Sequence, residues 1–303
     1  MPIVNVTYPL PPGKMDQAQD FNLRGRAALY CGRRSTAEEA ELIPQEDYRF
    51  PYHKLKRTLV DESKTPLVLV ACGSFSPMAS DFVRFNTDFE VSGGYLSPVS
   101  DGYKKVGLAA GYHRVNMCVA AIEQSSWLMV DPFETSVRNS KGEPQYVPTA
   151  CVLAHIDHEI NDVLGGVSGK RARICLLAGS DLIQTMSTPN LWSSADLDII
   201  LSHYGCFIIE RSGTDIEEAL AALRQYEDNI WLISQVVQNN ISSTKVRLFL
   251  KKGLSVRYLI PDPVVAYIEE HGLFQEGSQE NSKGETAAGD SRNSSNAQPS
   301  KPR

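Results

Sequence analysis

No apolar run in this 303-residue chain approaches the roughly 18 to 20 residues that a membrane-spanning helix needs. The opening stretch, MPIVNVTYPLPPGK, has no apolar signal-peptide region, so a cytoplasmic or nuclear protein that stays off membranes is expected. Cysteine pairs are missing too. The six cysteines (Cys31, Cys72, Cys118, Cys151, Cys175, Cys206) stand far apart without a CxxC, and several lie in apolar runs where a reduced thiol packs as a small hydrophobe. Positive charge is in short supply: 30 Lys and Arg face 36 Asp and Glu, a net charge of -6. That balance gives no global attraction to nucleic acid or anionic lipid, so neither is an expected partner and any phosphate must be held by a local site.

Several catalytic signatures are absent as well. The Walker pattern GxxxxGK[ST] occurs nowhere, and His155 and His158, three apart and followed by Glu159, lack the HExxH context of a zinc site. No Ser/His/Asp arrangement stands out, which leaves covalent catalysis without a candidate nucleophile.

What is present is an alternation of short buried strands and helices. Residues 1–65, rich in Pro, Arg and Glu, read as a mostly irregular extension, and residues 276–303, nearly free of apolar side chains, as a disordered tail. Between them, residues 66–275 form the expected folded unit. Apolar runs recur at Leu67 to Cys72, Phe89 to Leu96, Trp127 to Val130, Ile174 to Ala178, Cys206 to Ile209 and Ile230 to Ile233. Helical patterns fall at Tyr112 to Glu123, Thr149 to Asn161, Ser194 to His203, Asp215 to Tyr226 and Thr244 to Lys252. Near-continuous apolar strands separated by helices predict an α/β fold with a doubly wound parallel sheet, whose ligands bind beyond the carboxyl ends of the strands.

Four segments stand at such exits. Gly73-Ser74-Phe75-Ser76-Pro77 follows the first strand, where glycine allows close backbone approach to a phosphate; an ordinary turn uses the same residues. Ile241-Ser242-Ser243-Thr244-Lys245-Val246-Arg247 reads as a capped helix start with basic residues in its first turn, suited to phosphate but equally to a plain cap. Gly179-Ser180-Asp181-Leu182 offers a carboxylate for ribose hydroxyls or merely a helix cap, and Trp192 beyond it offers a stacking face or core filling. Ser97 to Lys105 is a polar turn whose lysines either meet phosphate or stay solvated.

Assembled in order, the segments resemble eukaryotic nicotinamide mononucleotide adenylyltransferases from Leu67 to Phe274, through VLVACGSFSP, GGYLSPVSDGYKK, YHRVNMC, WLMVDPFE, LLAGSDL, PNLW, NNISSTKVRLFL and SVRYLIPDPVVAYIEEHGLF. The resemblance implies a Rossmann-like nucleotidyltransferase that joins ATP, with Mg²⁺, to nicotinamide mononucleotide and also to the nicotinic acid form, giving NAD and pyrophosphate. It implies that Gly73, Ser74 and Phe75 line the dinucleotide phosphates and that Lys105 and Arg247 act on the triphosphate. Tyr146 and Thr149 would meet the nicotinamide and its carboxamide. Gly179 and Asp181 would hold a ribose, Leu191 would offer backbone to the carboxamide, and Trp192 would stack on the pyridinium. Arg211, Asn239, Ser242, Thr244 and Lys245 would complete the adenosine and phosphate site. The attacking 5′-phosphate is already anionic, so no general base is needed.

In one place the chain departs from the family. There the GSFxP turn continues as a TxxH segment opening a long helix; here Pro77 meets Met78-Ala79-Ser80-Asp81 directly, about ten residues short. Alternatives are therefore a nucleotide-binding homologue with impaired catalysis, or another nucleotidyltransferase of the superfamily. The sequence leaves a homo-oligomer open.

Overall fold

The computed structural model describes residues 44–72, 78–210, 216–234 and 241–275. Its centre is a six-stranded sheet of β1 (Thr65–Ala71), β2 (Phe89–Leu96), β3 (Leu128–Val130), β4 (Arg173–Gly179), β5 (Cys206–Ile209) and β6 (Ile230–Ile233). The order is β3-β2-β1-β4-β5-β6, and every neighbouring pair is parallel. This is the doubly wound sheet that the strand pattern predicts.

The strands are apolar on both faces because helices cover both. Side chains alternate along β1: Val68 and Val70 enter one core with Tyr95, Met129, Leu176 and Ile208, while Leu67, Leu69 and Ala71 enter the other with Val91, Leu177 and Phe207. The first core is sealed by α4 (Thr149–Asp157), through Cys151, Val152 and Ile156. The second is sealed by α1 (Met78–Asn86), through Ala79 and Val83, and by the end of α2 (Gly111–Ala121). The remaining helices are α3 (Phe133–Ser136), α5 (Ser180–Ser187), α6 (Ser194–Leu197), α7 (Glu217–Ala222), α8 (Ser243–Lys251) and α9 (Asp262–Glu270). The last two share a small core of Val246, Val256 and Val265.

Two of the expected helices change their winding part-way. The segment from Thr149 passes into a π-helical stretch at His158–Val163, where buried Asn161 bonds both the N–H and the C=O of Ala172, 2.7 and 2.8 Å away. The segment from Ser194 likewise becomes π-helical at Asp198–Tyr204 and ends on Gly205 with φ 83°. Of the cysteines, Cys72, Cys118, Cys175 and Cys206 are free thiols, whereas Cys151 is disulfide-bonded, which their scatter in sequence did not suggest.

Residues 44–64 contain no helix or strand but belong to the first core: Leu55 and Leu59 are buried, and Phe50 stacks on Tyr95 with ring centroids 5.1 Å apart. The adjacent glycines of β2 explain the fit. A Cβ on Gly93 would stand 3.0 Å from Leu55 Cδ1, and one on Gly94 would stand 2.5 Å from the Trp127 ring. Lys56 N–H donates to Ser92 C=O at 2.8 Å, beside the register shift between β1 and β2.

Candidate functional site

Because all six strands run the same way, their carboxyl ends share one edge, and the winding reverses between β1 and β4. That reversal opens the crevice in which such sheets bind ligands. Gly73, Ser74 and Phe75 after β1, Arg211 after β5 and Asn239 after β6 lie outside the described residues.

At the exit of β4, Gly179 is extended (φ -84°, ψ 161°) and caps α5, whose first turn carries Asp181. Beyond α5 the chain turns back through Asn190, in the left-handed region at φ 62°. This brings the indole of Trp192 against the helix, where Nε1 donates to Thr185 Oγ1 at 3.1 Å. Thr185 stands four residues after Asp181, on the same helix face, so carboxylate and indole sit along one side of α5. Trp192 is half-buried and packs against the first core. Leu191 is exposed, and its N–H donates to Thr188 C=O at 3.3 Å. Ser193 then caps α6, accepting from Asp196 N–H at 3.0 Å.

At the exit of β2 a second group assembles. Ser97 N–H holds the last carbonyl of β1, that of Ala71, at 3.0 Å. Buried Ser100 caps a tight turn at Asp101–Tyr103, and Asp101 accepts from Gly111 N–H at 3.0 Å and from Arg114 Nη1 at 2.9 Å. Arg114 also donates to the carbonyls of Val99 and Ala109, which locks the loop onto the start of α2. Gly102 is required here, since a Cβ would meet Tyr146 N at 2.5 Å. Tyr103 stacks on Tyr146 at 5.7 Å, and Lys105 is exposed two residues further on. A groove of about 520 Å³ runs between Asp101, Gly102, Lys104, Gln145 and Tyr146; Asp181, Trp192 and Arg247 do not line it. Thr149 opens α4 three residues after Tyr146.

The third group is the start of α8. Ser242 caps it, accepting from Lys245 N–H at 3.3 Å, and Arg247 Nη2 comes within 3.5 Å of Thr244 Oγ1 one turn in. It is tied to the second group through α9 and α2: the Tyr267 hydroxyl meets His113 Nδ1 at 2.9 Å and Asn116 Nδ2 at 3.0 Å.

The WLMVDPFE segment carries two acids to which the sequence pattern alone assigns no role. Asp131 and Glu134, just after β3, are both buried. Ser97 Oγ donates to Glu134 Oε1 at 2.6 Å, and Tyr48 Oη donates to Asp131 Oδ1 at 2.9 Å. Burial, reinforced by their mutual repulsion in the case of Glu134 and by Glu159 in the case of Asp131, pushes both carboxyls up to about 7. His155 lies 3.8 Å from Asp131 and is driven down to about 4 by burial, so both partners lean to their neutral forms and the contact is no ion pair. With its single proton on Asp131, the Tyr48 oxygen accepts from His155 Nε2 at 2.6 Å. Paired acids three residues apart at a strand exit were the available signal.

Tyr146 connects these groups. Its phenol is pushed up by burial, then by the charge of Glu134, with Tyr103, Asp196 and Cys72 contributing.

A family model described as cytidylyltransferase-like matches residues 93–249. The chain is 50% identical over 248 residues to nicotinamide/nicotinic acid mononucleotide adenylyltransferase 1 of Saccharomyces cerevisiae, covering 76% of this chain and 60% of that protein. It is 48% identical over 281 residues to the second such enzyme of that yeast, covering 84% and 70%. It is 36% identical over 243 residues to the nicotinamide/nicotinic acid mononucleotide adenylyltransferase of Arabidopsis thaliana, covering 76% and 99%. The chain therefore spans about three fifths of the length of the first yeast relative.

Proposed function

Because the chain belongs to the nicotinamide/nicotinic acid mononucleotide adenylyltransferase family, within the cytidylyltransferase-like group, we propose that it transfers the adenylyl group of ATP to nicotinamide mononucleotide, and to the nicotinic acid form, giving NAD and pyrophosphate. The observation that carries the reading is the face of α5, where Asp181 and the Thr185-anchored indole of Trp192 stand together at the β4 exit. Asp181 binds ribose hydroxyls and Trp192 stacks on the pyridinium, with Tyr146 and Thr149 opposite and Leu191 backbone at the carboxamide.

The 5′-phosphate of the mononucleotide attacks the α-phosphorus of ATP in line. A new P–O bond forms as the α–β bridge breaks, and pyrophosphate leaves with the electron pair. Nothing has to be deprotonated, so the residues orient the reactants and offset charge. Lys105 on its exposed turn and Arg247 one turn into α8 neutralise the triphosphate, and the Ser242 cap, Thr244 and Lys245 hold the phosphates at a helix start. Gly73, Ser74, Phe75, Arg211 and Asn239 complete the site from segments outside the described residues. Magnesium, arriving with ATP, would add positive charge where Lys105, Arg247 and the α8 start hold the phosphates.

The test is Trp192→Ala in calorimetry. Stacking on a flat cation is worth roughly 0.5 to 2 kcal/mol, so mononucleotide affinity falls by that amount while ATP affinity holds. Equal losses for both ligands would remove Trp192 from the ring site and the reading with it.

A further inference from the structure

Glu134 is a buried carboxyl to which the adenylyl-transfer chemistry gives no task. It follows β3 in α3, is 3% exposed, and is fixed by the 2.6 Å bond from Ser97. Ser97 opens the loop that ends in Gly102 and Tyr103, and both of these press on Tyr146. One short loop therefore sets the carboxyl and the ring-binding tyrosine in fixed relation. A second buried carboxyl, Asp196, closes the Trp192 side, held by Ser193 Oγ at 2.8 Å. The Tyr146 loop and the Trp192 turn thus each carry a carboxyl withdrawn from solvent, where its field is screened less than at the surface.

Resting on the function proposed above, we infer that Glu134 is a specificity-determining residue that favours a mononucleotide with a cationic pyridinium ring over one with a neutral ring, by charge rather than by contact. The Tyr146 phenol is pushed up by burial first and by the charge of Glu134 second, the direction a neighbouring anion gives. The groups acting on Glu134 are the Ser97 hydroxyl, the Asp131 carboxyl and the Arg114 guanidinium; Tyr146 and the Cys72 thiol in turn feel Glu134. With Glu134 held up to about 7, its charge develops between pH 6 and 8, and the preference for the cation grows across that window.

The experiment is calorimetric binding of oxidised nicotinamide mononucleotide and of its reduced, neutral-ring form to the whole chain at pH 6 and 8. Both ligands carry the same phosphate, so its titration cancels in the ratio of their affinities. Glu134→Gln keeps an acceptor for Ser97 and removes the charge. The expected result at pH 8 is a three- to tenfold loss for the oxidised ligand, on the order of a screened charge at this range, with the reduced ligand unchanged. The oxidised-to-reduced ratio then no longer rises with pH. Ser97→Ala removes a bond that favours the charged carboxylate, so it should lower the ratio at pH 8 part-way and move its rise to higher pH. Equal losses for both ligands in Glu134→Gln, or an oxidised-to-reduced ratio unchanged by that substitution, would each overturn the inference while leaving the function standing. Failure of the unaltered chain to bind either mononucleotide would overturn both.

Discussion

Asp131 shows how a single side chain serves structure and titration together. One oxygen accepts from Tyr48 and from Phe133 N–H, which ties residues 44–64 to the start of α3; the other has no hydrogen-bond partner among the described residues. Burial, with the charge of Glu159 adding to it, pushes the group up to about 7 against the two hydrogen bonds that favour the charged form. The sign follows from linkage. Between the ordinary carboxyl value and 7 the folded chain holds a proton that the unfolded chain has released, so stability falls as pH rises through that window. His155, driven down to about 4, acts oppositely and costs stability as pH falls from 6.5 toward 4. Asp131→Asn should therefore flatten the loss between pH 5 and 8 by on the order of 2 to 4 kcal/mol in urea denaturation. Parallel pH curves for the two proteins would contradict it. The acids were visible in DPFE but not legible, because burial at a strand exit depends on what covers it, and the cover comes from residues 44–64, which lack any periodic pattern.

The elements that were legible are those whose apolar period is long or uninterrupted. All six strands appear within two residues of the expected bounds, since a strand buried on both faces is a plain apolar run. Four helices fall outside the expected helical patterns: α1, α3, α5 and α9. α5 has eight residues with only Ile183 and Met186 buried beyond Ser180, and α9 carries Pro263 in its first turn, which reads as a break until the helix start is known. α1 bears on catalysis. With nine residues it still closes the β1–β2 crossover, burying Ala79 and Val83, but Phe85 is 74% exposed. Inserting a family-like TxxH segment between Pro77 and Met78 should raise turnover about 10²- to 10³-fold, the usual worth of a charge-stabilising donor, and raise the melting temperature as well. Equal turnover with and without the insert would show that the shortened turn is catalytically complete.

For the whole molecule, the strand order sets the site. Reversal of winding between β1 and β4 puts the β4 exit, with Asp181 and Trp192, on one side and the β2 and β3 exits, with the Lys105 loop and Glu134, on the other, while α8 is tied to α2 through α9. No motif in the sequence reveals this arrangement, because the groups lie up to 150 positions apart and come to one end of the sheet only when it forms. The measurement that tests the central claim most directly is steady-state product formation by the unaltered chain under saturating ATP, magnesium and nicotinamide mononucleotide. NAD and pyrophosphate should appear in equal amounts, and neither should form when the mononucleotide is withheld. Pyrophosphate without NAD, or no product from a chain that binds both substrates, would contradict the account.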